Sequence, residues 1–402
     1  MSTFDGARVA LAVTGGIAAY KAVDLASRLV QAGASLDVIM THGATKFVTP
    51  LTFAAVSRGD VWVDPFADWD RAQAGHVTVA ARADILAVVP ATANAVARLA
   101  VGLADDLLGM VALATTAPIV LAPAMEHHML HHPATQANLA TLAARGAIVV
   151  PPETGRLASG ATGDGRLAGI DTIFWTIANT LGRNGPLAGL RVVVTAAGTH
   201  EAIDPVRYVG NRSSGRMGYA LAVEARRRGA SVLLVSGPSA LPDPVGCDVV
   251  RVESALQMLK AVEDAAATAD VLVMAAAVAD FRPEHAADHK LKKVPGEEHR
   301  SLTLVRNPDI LATVTRPGLV KVGFAAETED LIANAERKLA AKSLDLIVAN
   351  DAVASIGTSE SSVTLVAPGT PPESLPTMAK EQVAAAILDR LPTLVAARRG
   401  NR

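Results

Sequence analysis

The sequence lacks several features that would assign it to a class directly. It contains one cysteine, Cys247, in 402 residues, so it has no internal disulfide framework, and a reducing compartment is favoured. A formal net charge of −2 argues against nucleic acid as the main partner. The longest apolar candidate, 85–103, is interrupted by Asn94 and Arg98 and is no membrane-spanning segment. Neither half contains G-x-G-x-x-G, which disfavours an NAD(P) dehydrogenase.

Length and composition favour a globular enzyme of two domains. Half of the 402 residues are apolar and 19% are charged, a balance that excludes extended disorder, and the length exceeds that of a single core. Leu181 to Leu187 has linker composition, so we predict domains at 1–185 and 186–402. Met1 to Arg8 is short and polar, and we expect no secretory signal and a cytoplasmic location.

The order of apolar runs predicts a parallel sheet in each half. Residues 8–40 give a strand, a Gly15-Gly16 turn, a helix over 18–32 and a strand over 35–40, which is one βαβ unit. Further strands are expected at 85–89, 119–122, 147–150, 191–195, 231–235, 271–275, 320–324 and 345–349. Ligands of such folds bind at the carboxyl ends of the strands.

The stretch from Arg191 to Ala222 carries the strongest local signal. A buried strand is followed by a long loop over 196–210 and a helix from Met217 onward. Between them, 211–218 (NRSSGRMG) places hydroxyls, glycines and two guanidinium groups before a helix start. Free N–H groups and the helix dipole favour anions there, although a polar loop with a serine cap has the same local chemistry.

This stretch resembles the ligase domain of bacterial phosphopantothenate cysteine ligase. The family pattern D-P-V-R-x-I/V-x-N-x-S-S-G-x-M-G matches residues 204–218, DPVRYVGNRSSGRMG. The likeness extends over nearly the whole chain to the family in which phosphopantothenoylcysteine decarboxylase is fused to this ligase. It implies two Rossmann-like three-layer α/β domains, an N-terminal flavodoxin-like flavoprotein domain and a C-terminal ligase domain.

In the first half the resemblance implies an FMN-dependent decarboxylase. It assigns flavin contacts to Gly15, Gly16, Ile17, Thr41, Thr92, Ala93, Asn94 and Met125, and the catalytic histidine to His76. The implied reaction oxidises the cysteinyl thiol to a thioaldehyde, releases carbon dioxide and returns a hydride to the enethiol, with the flavin carrying the electrons. A histidine near the thiol can take its proton. From the residues alone, a tight βα turn and a surface histidine on a helix remain open.

Two positions of the first half depart from the family pattern. The asparagine that holds the substrate carboxylate is Glu126 here, and an ionised glutamate would repel a carboxylate. The cysteine thought to donate the last proton is Ser159, a far weaker acid. We therefore keep Glu126 as a substrate contact and Ser159 as a catalytic position, with water as a possible alternative donor.

In the second half the resemblance implies a ligase that uses CTP and Mg²⁺. Asn211 would hold an acyl-cytidylate, and Lys290 would reach the reacting phosphates; as a bare charge run, 290–293 would be a solvated face. Asp280 and Asp309 are the predicted metal ligands. The predicted substrate and CTP contacts of this half are Ala275, Ala276, Asp280, Lys290, Asn307, Pro308, Asp309, Phe324, Lys338 and Lys342, in addition to the substrate contact Glu126 of the first half.

A run of histidines after Glu126 allows a second metal site. Histidines four apart share a helix face, so His127 with His131, or His128 with His132, could bind a cation. Pro133 follows at once, and a polar helix start over the flavin pocket is the interpretation we favour.

Three functions follow from these motifs. The leading one is a bifunctional enzyme of coenzyme A biosynthesis, in which the ligase makes 4'-phospho-N-pantothenoylcysteine and the flavin half converts it to 4'-phosphopantetheine. The second keeps the ligase but gives the first half an impaired or regulatory flavin domain, because of Glu126 and Ser159. The third is a non-catalytic regulatory flavoprotein, disfavoured by the complete CTP motifs. By resemblance, the chain would form a homo-oligomer, a dodecamer of trimers, without nucleic-acid or membrane partners.

Overall fold

The chain divides into two units, which are described separately. In a computed structural model, unit 1 comprises residues 1–181 and unit 2 comprises residues 182–402. The structure describes residues 4–66, 75–156, 160, 162–293, 295–296, 298–327, 330–351 and 359–400. The domains 1–185 and 186–402 stay a prediction about independently folding parts.

A parallel sheet forms the centre of unit 1. Its strands are β1 (Arg8–Val13), β2 (Ser35–Met40), β3 (Val61–Trp62), β4 (Ile85–Ala91), β5 (Ile119–Pro123) and β6 (Ile148–Val149). In the described ranges their order is β3-β2-β1-β4-β5-β6, with parallel pairing throughout. The helices are α1 (Ala19–Gln31), α2 (Pro50–Ser57), α3 (Gly75–Arg82), α4 (Ala93–Val101), α5 (Leu107–Ala114), α6 (His127–His131), α7 (Pro133–Ala144) and α8 (Ile170–Leu181). An antiparallel hairpin, β7 (Glu153–Arg156) and β8 (Thr162–Arg166), follows the sheet.

Strand β1 explains why this sheet is covered on both faces. Successive side chains of a strand point to opposite faces. Val9, Leu11 and Val13 enter one core cluster, whereas Ala10 and Ala12 enter the other. Full burial of each large aliphatic side chain contributes about 1.5–3 kcal/mol. The predicted parallel sheet with two covered faces is confirmed.

Unit 2 repeats this plan with an extended edge. Its strands are β9 (Arg191–Ala196), β10 (His200–Ala202), β11 (Tyr208–Gly210), β12 (Ser231–Ser236), β13 (Asp248–Arg251), β14 (Val271–Met274), β15 (Phe281–Pro283), β16 (Leu304–Arg306), β17 (Val320–Glu327), β18 (Leu346–Asp351), β19 (Glu360–Ser361), β20 (Val363–Val366), β21 (Glu373–Ser374) and β22 (Met378–Ala379). Its helices are α9 (Arg216–Arg227), α10 (Ala255–Ala266), α11 (Ile310–Thr313), α12 (Leu331–Ala341), α13 (Lys380–Leu388) and α14 (Leu391–Gly400). Over the described residues the main sheet runs β13-β12-β9-β14-β17-β18-β20-β21, and its last two strands are antiparallel to their neighbours.

The expectation of a long loop over 196–210 was wrong. That stretch contains the antiparallel hairpin of β10 and β11, in which His200 stacks on Tyr208 with ring centroids 3.6 Å apart. Each strand has three residues, too few for an alternating pattern to be recognised. Tyr208 is also 54% exposed, so the hairpin gives little hydrophobic signal.

Both sheets place a crevice where the strand order reverses direction. In unit 1 this point lies between β1 and β4, and in unit 2 between β9 and β14. Connections leave the two neighbouring strands toward opposite faces there, which opens a ligand site at their carboxyl ends. None of the helices in the described ranges combines the length and apolar character needed to cross a membrane.

Candidate active sites

The unit 1 cavity lies at the carboxyl ends of β1, β4 and β5 and has a volume of about 1050 Å³. Its size suits a cofactor together with a substrate. Its lining includes all the residues predicted to contact the flavin, and Glu126 as well: Gly15, Gly16, Ile17, Thr41, Thr92, Ala93, Asn94, Met125 and Glu126.

The turn between β1 and α1 is tightly packed against its neighbours. A Cβ atom on Gly15 would lie 2.7 Å from the carbonyl carbon of Gly43, so this position accepts only glycine without a shift. The Thr14 hydroxyl donates to the Pro90 carbonyl at 2.7 Å and accepts from the Thr92 N–H at 3.1 Å. Helix α1 begins at Ala19 without a side-chain cap. The turn therefore presents an open helix start of the kind that binds phosphate.

Besides Arg98, which pairs with Asp105, three lysine and arginine side chains of the described residues line the same cavity, and sequence reasoning assigned a role to none of them. They are Lys21, Arg156 and Arg166. Burial, with the nearby Arg166, lowers the pKa of Lys21, and Glu153 acts in the opposite direction. The two arginines lie at the ends of β7 and β8, so they become neighbours of the cavity only when the hairpin folds.

Glu126, which stands where the family pattern has asparagine, has a structural role at this cavity. One of its carboxylate oxygens, Oε2, accepts the His128 N–H at 2.7 Å and caps the start of α6. An asparagine could cap the helix in the same way. The substitution therefore preserves the helix start while adding a negative charge to the cavity wall.

One predicted catalytic residue of unit 1, His76, is not brought to the cavity, and another lies outside the residues that the structure describes. His76 lies in α3 and is absent from the cavity lining. Its Nδ1 atom is buried and has no hydrogen-bond partner within the described ranges. Ser159 lies outside the described residues.

The unit 2 cavity, about 670 Å³, lies at the carboxyl ends of β14, β17 and β18. The predicted ligase residues that line it are Asn211, Ala275, Ala276, Asp280, Asn307, Pro308, Asp309, Phe324, Lys338 and Lys342. Lys290 is exposed and is not part of this lining.

The floor of this cavity is the loop 275–280, which hydrogen bonds hold in place. The N–H of Ala276 donates to the Thr195 hydroxyl at 3.0 Å, and the N–H of Ala279 donates to the Thr199 hydroxyl at 3.0 Å. The Asn211 amide donates to the carbonyls of Ala277 and Val278 at 3.1 and 3.2 Å. The Asn307 amide donates to the carbonyl of Ala279 at 2.8 Å. The small side chains and fixed backbone leave room for a base and ribose to approach.

The glycines of the SSGRMG segment let α9 start directly on β9. A Cβ on Gly218 would lie 2.5 Å from the Cβ of Ala196, and Gly215 has φ +82°. Neither position accepts another residue without strain. The first residues of α9 therefore line the cavity.

The rest of the lining includes an ion pair between a lysine and an aspartate. Lys342 Nζ lies 2.7 Å from Asp309 Oδ2, and Asp309 Oδ1 accepts the Ala312 N–H at 3.1 Å. Burial acts to raise the pKa of Asp309, but the hydrogen bonds from Lys342 and the Ala312 backbone lower it overall. Both oxygens are therefore engaged, and a metal ion at Asp309 would have to displace Lys342.

Among the described residues, four further cations line the unit 2 cavity and were not predicted as contacts: Arg212, Arg216, Arg306 and Lys380. Lys380 opens α13 and is only 8% exposed. Burial, followed by the charge of Arg216, lowers the pKa of Lys380. Arg212 and Arg216 stand in the recognised motif and could have been found there, and Arg306 directly precedes the predicted contact Asn307. Nothing near Lys380 in the sequence points to this site.

Comparison with known proteins assigns each half of the chain to a protein family. A family model described as "Flavoprotein" matches residues 2–182, and one described as "DNA/pantothenate metabolism flavoprotein C-terminal domain" matches residues 187–394. The chain is similar to the coenzyme A biosynthesis bifunctional protein CoaBC of Vibrio vulnificus (strain YJ016), with 42% identity over 98% of this chain and 100% of that protein. The corresponding protein of Bacillus subtilis (strain 168) is 44% identical over 96% of this chain and 97% of its own length.

Among solved structures, the C-terminal domain of a CoaBC protein is 38% identical to the matched part of the chain. The match covers 53% of this chain and 99% of that one, with a TM-score of 0.46.

Proposed function

Because the chain belongs to the family of coenzyme A biosynthesis bifunctional proteins, we propose that its two cavities are the active sites for two successive reactions. The protein is a phosphopantothenate cysteine ligase and a phosphopantothenoylcysteine decarboxylase in one chain. In our proposal the unit 2 cavity makes 4'-phospho-N-pantothenoylcysteine, and the unit 1 cavity converts it to 4'-phosphopantetheine.

We propose that the nucleotide bound in the unit 2 cavity is CTP. The carboxylate of 4'-phosphopantothenate attacks the α-phosphate and releases pyrophosphate, and the cysteine amine then attacks the acyl-cytidylate and releases CMP. A carboxylate is a poor nucleophile toward a polyanion, so the site has to neutralise charge. Lys338, Lys342 and Lys380 line the cavity for this task. We also propose that Asp280 and Asp309 would bind Mg²⁺. When the ion binds, the Lys342 ammonium would leave Asp309 and pair with a phosphate of the nucleotide.

Two further ligase roles are proposed from the resemblance. The Asn211 amide, which already fixes the loop 275–280, would hold the acyl-cytidylate. Lys290 lies on an exposed segment outside the cavity lining, so it would have to reach the phosphates after that segment moves.

We propose that the cofactor of unit 1 is FMN and that its phosphate binds at the β1–α1 turn. The close approach of Gly15 to Gly43 and the uncapped start of α1 fit a phosphate group. The bound flavin supplies the two-electron redox chemistry that decarboxylation requires. Arg156 and Arg166 are placed to attract the phosphate or carboxylate of the substrate.

His76 is proposed to take the thiol proton in a neighbouring protomer. Its Nδ1 is buried without a partner among the described residues, and its side chain does not line the cavity of its own unit. By resemblance, the flavin would lie at a trimer interface and four trimers would form a dodecamer. A cytoplasmic location is also part of the proposal, because the single cysteine favours a reducing compartment.

The observation that best supports this proposal is the coincidence of motif and cavity. Residues assigned by resemblance from distant parts of each half line one cavity per unit. An active ligase with an impaired flavin domain is the second candidate, favoured by Glu126 in the unit 1 lining.

The test is mass spectrometry of the products after incubating the purified protein with 4'-phosphopantothenate, cysteine, CTP and Mg²⁺. Formation of 4'-phosphopantetheine, with stoichiometric CMP and pyrophosphate, supports both assignments. Accumulation of the acylcysteine would leave the ligase alone, and accumulation of the enethiol would locate a defect at the final reduction. Replacing CTP by ATP distinguishes the nucleotide, and we expect turnover to fall strongly.

A further inference from the structure

Two histidines and one aspartate bring metal-ligating atoms together beside the unit 1 cavity. His127 and His131 are four residues apart on α6 and therefore share one face. His131 Nε2 lies 2.6 Å from Asp164 Oδ2, and His127 Nδ1 contacts the other oxygen of Asp164. One ligand atom from each residue lies within 4.8 Å of the other two. In the described ranges this is the one such group of three or more residues.

The backbone of β8 places Asp164 independently of its contacts with the histidines. A Cβ on Gly163 would lie 3.0 Å from the Cβ of His127, and one on Gly165 would lie 2.3 Å from the Met125 carbonyl oxygen. The Met125 N–H also donates to the Gly165 carbonyl at 2.9 Å. The glycines on both sides of Asp164 thus let the strand lie against the start of α6. This packing places the Asp164 carboxylate beside the histidine pair.

We propose that His127, His131 and Asp164 bind a divalent transition-metal ion, with Zn²⁺ as the best match. Two imidazoles and one carboxylate are a suitable donor set for zinc, with bonds of about 2.0–2.2 Å. Tetrahedral bonds of this length separate ligand atoms by roughly 3.4 Å. The ion therefore requires the Asp164 carboxylate to withdraw from both histidine rings by roughly 1 Å. The side chains of His127, His131 and Asp164 are 41%, 52% and 33% exposed, so water can fill the fourth position.

The neighbouring histidines do not belong to this group. The ring of His132 caps α7 by accepting the Ala134 N–H at 3.2 Å. His128 lies on α6 outside the group of ligand atoms. The sequence left the pairs 127 with 131 and 128 with 132 open, and the third ligand from β8 selects the first.

A metal ion here would connect two parts of the cavity wall. Helix α6 and the residues just before it contribute Met125, Glu126 and Met129 to the lining, and the β7–β8 hairpin contributes Arg156 and Arg166. A bond from both elements to one ion would fix the hairpin against α6. The site differs in chemistry from the proposed Mg²⁺ site, since magnesium prefers oxygen ligands.

The experiment uses tag-free full-length protein with its flavin, treated with a chelator and dialysed. Titration with ZnCl₂ by calorimetry is expected to give one ion per chain with a dissociation constant of about 1 μM or lower. Loading with Co²⁺ is expected to give tetrahedral absorption bands at wavelengths longer than the flavin absorbs. His131→Gln can keep a hydrogen bond to Asp164 but is a poor zinc ligand, so it should weaken binding more than about 100-fold and abolish the cobalt bands.

Two controls keep the proposal open to refutation. His128→Ala removes a histidine from the same helix and should leave affinity within about twofold. Asp164→Asn should weaken binding as His131→Gln does. The absence of zinc binding up to 100-fold above the expected constant would overturn the proposal and leave only a hydrogen-bonded contact. Equal affinity in His131→Gln and wild type would overturn it as well, even if both bind zinc.

Discussion

At the scale of single residues, Glu126 places a negative charge in the lining of the unit 1 cavity, where the substrate is proposed to bind. Its carboxylate caps α6 by accepting the His128 N–H, and its negative charge should repel a substrate carboxylate. We expect Glu126→Asn to keep the cap, to change the free energy of unfolding by less than about 0.5 kcal/mol and to lower KM for the acylcysteine. Glu126→Ala should instead lose about 1 kcal/mol of stability. Steady-state kinetics and chemical denaturation measure both. A higher KM in Glu126→Asn would show that the substrate carboxylate binds elsewhere.

Lys380 is the residue for which structure adds most to the sequence. It is nearly buried in the lining of the unit 2 cavity, close to Arg216, where a cation can meet a polyanion. A hydrogen bond to a charged group is worth about 1.5–3 kcal/mol, so Lys380→Gln should lower kcat/KM for CTP about 10- to 150-fold. Lys380→Arg should retain part of the activity.

The matched control for Lys380 is Lys260→Gln, which removes an equal charge from an exposed helical pair with Asp264. Its ligase rate should equal that of wild type. Decarboxylation of supplied acylcysteine should be unchanged in all three variants, and a loss there would indicate misfolding rather than a role in the nucleotide site.

At the scale of elements, one carboxylate joins the β10–β11 hairpin to the segment that carries Lys290. Asp204 accepts N–H groups of Val206, Arg207 and Leu291 at 2.9, 2.9 and 3.1 Å. The Arg207 guanidinium, which also donates to the Leu291 carbonyl at 2.8 Å, holds the pKa of Asp204 well below its usual range. These contacts fix the carboxylate in its ionised form.

The lowered pKa of Asp204 predicts a pH dependence of stability. A carboxyl whose pKa is lower in the folded state stabilises the protein above its unfolded pKa of about 3.9, and this stabilisation is lost as the pH falls below that value. Asp204→Asn should therefore be less stable than wild type at pH 7, and the difference should shrink below about pH 4. Denaturation at several pH values measures it. Asp264→Asn, in an exposed pair, should show little difference at any pH; a constant deficit in Asp204→Asn would refute the linkage.

At the scale of the whole molecule, the two cavities lie in separate units, so single substitutions should separate the activities. Gly15→Ala places a Cβ 2.7 Å from the Gly43 backbone and should lose flavin and accumulate acylcysteine. Asn211→Ala removes two hydrogen bonds from the loop 275–280 and should lose ligation but still decarboxylate supplied acylcysteine.

Mixing these two variants should restore formation of 4'-phosphopantetheine, because the acylcysteine can diffuse from one protein to the other. Product mass spectrometry and flavin absorbance check the result, with Gly400→Ala, which meets no atom within 4 Å, as the glycine control. If the mixture forms no product although each variant keeps its own remaining activity, the intermediate does not pass freely through solution.

The sequence by itself determined the α/β class, five of the strands in each main sheet, the family and the motif residues that line the two cavities. Apolar strands and glycine turns determine these features locally, as at β1 and Gly15. Only the tertiary structure decided which distant residues meet. Lys380 at the start of α13 and Asp164 between two glycines carry no local pattern, and they reach the unit 2 cavity and the histidine pair of α6, respectively, through packing between elements far apart in the chain. The three-residue strands of the β10–β11 hairpin were missed because their stability comes from that same packing.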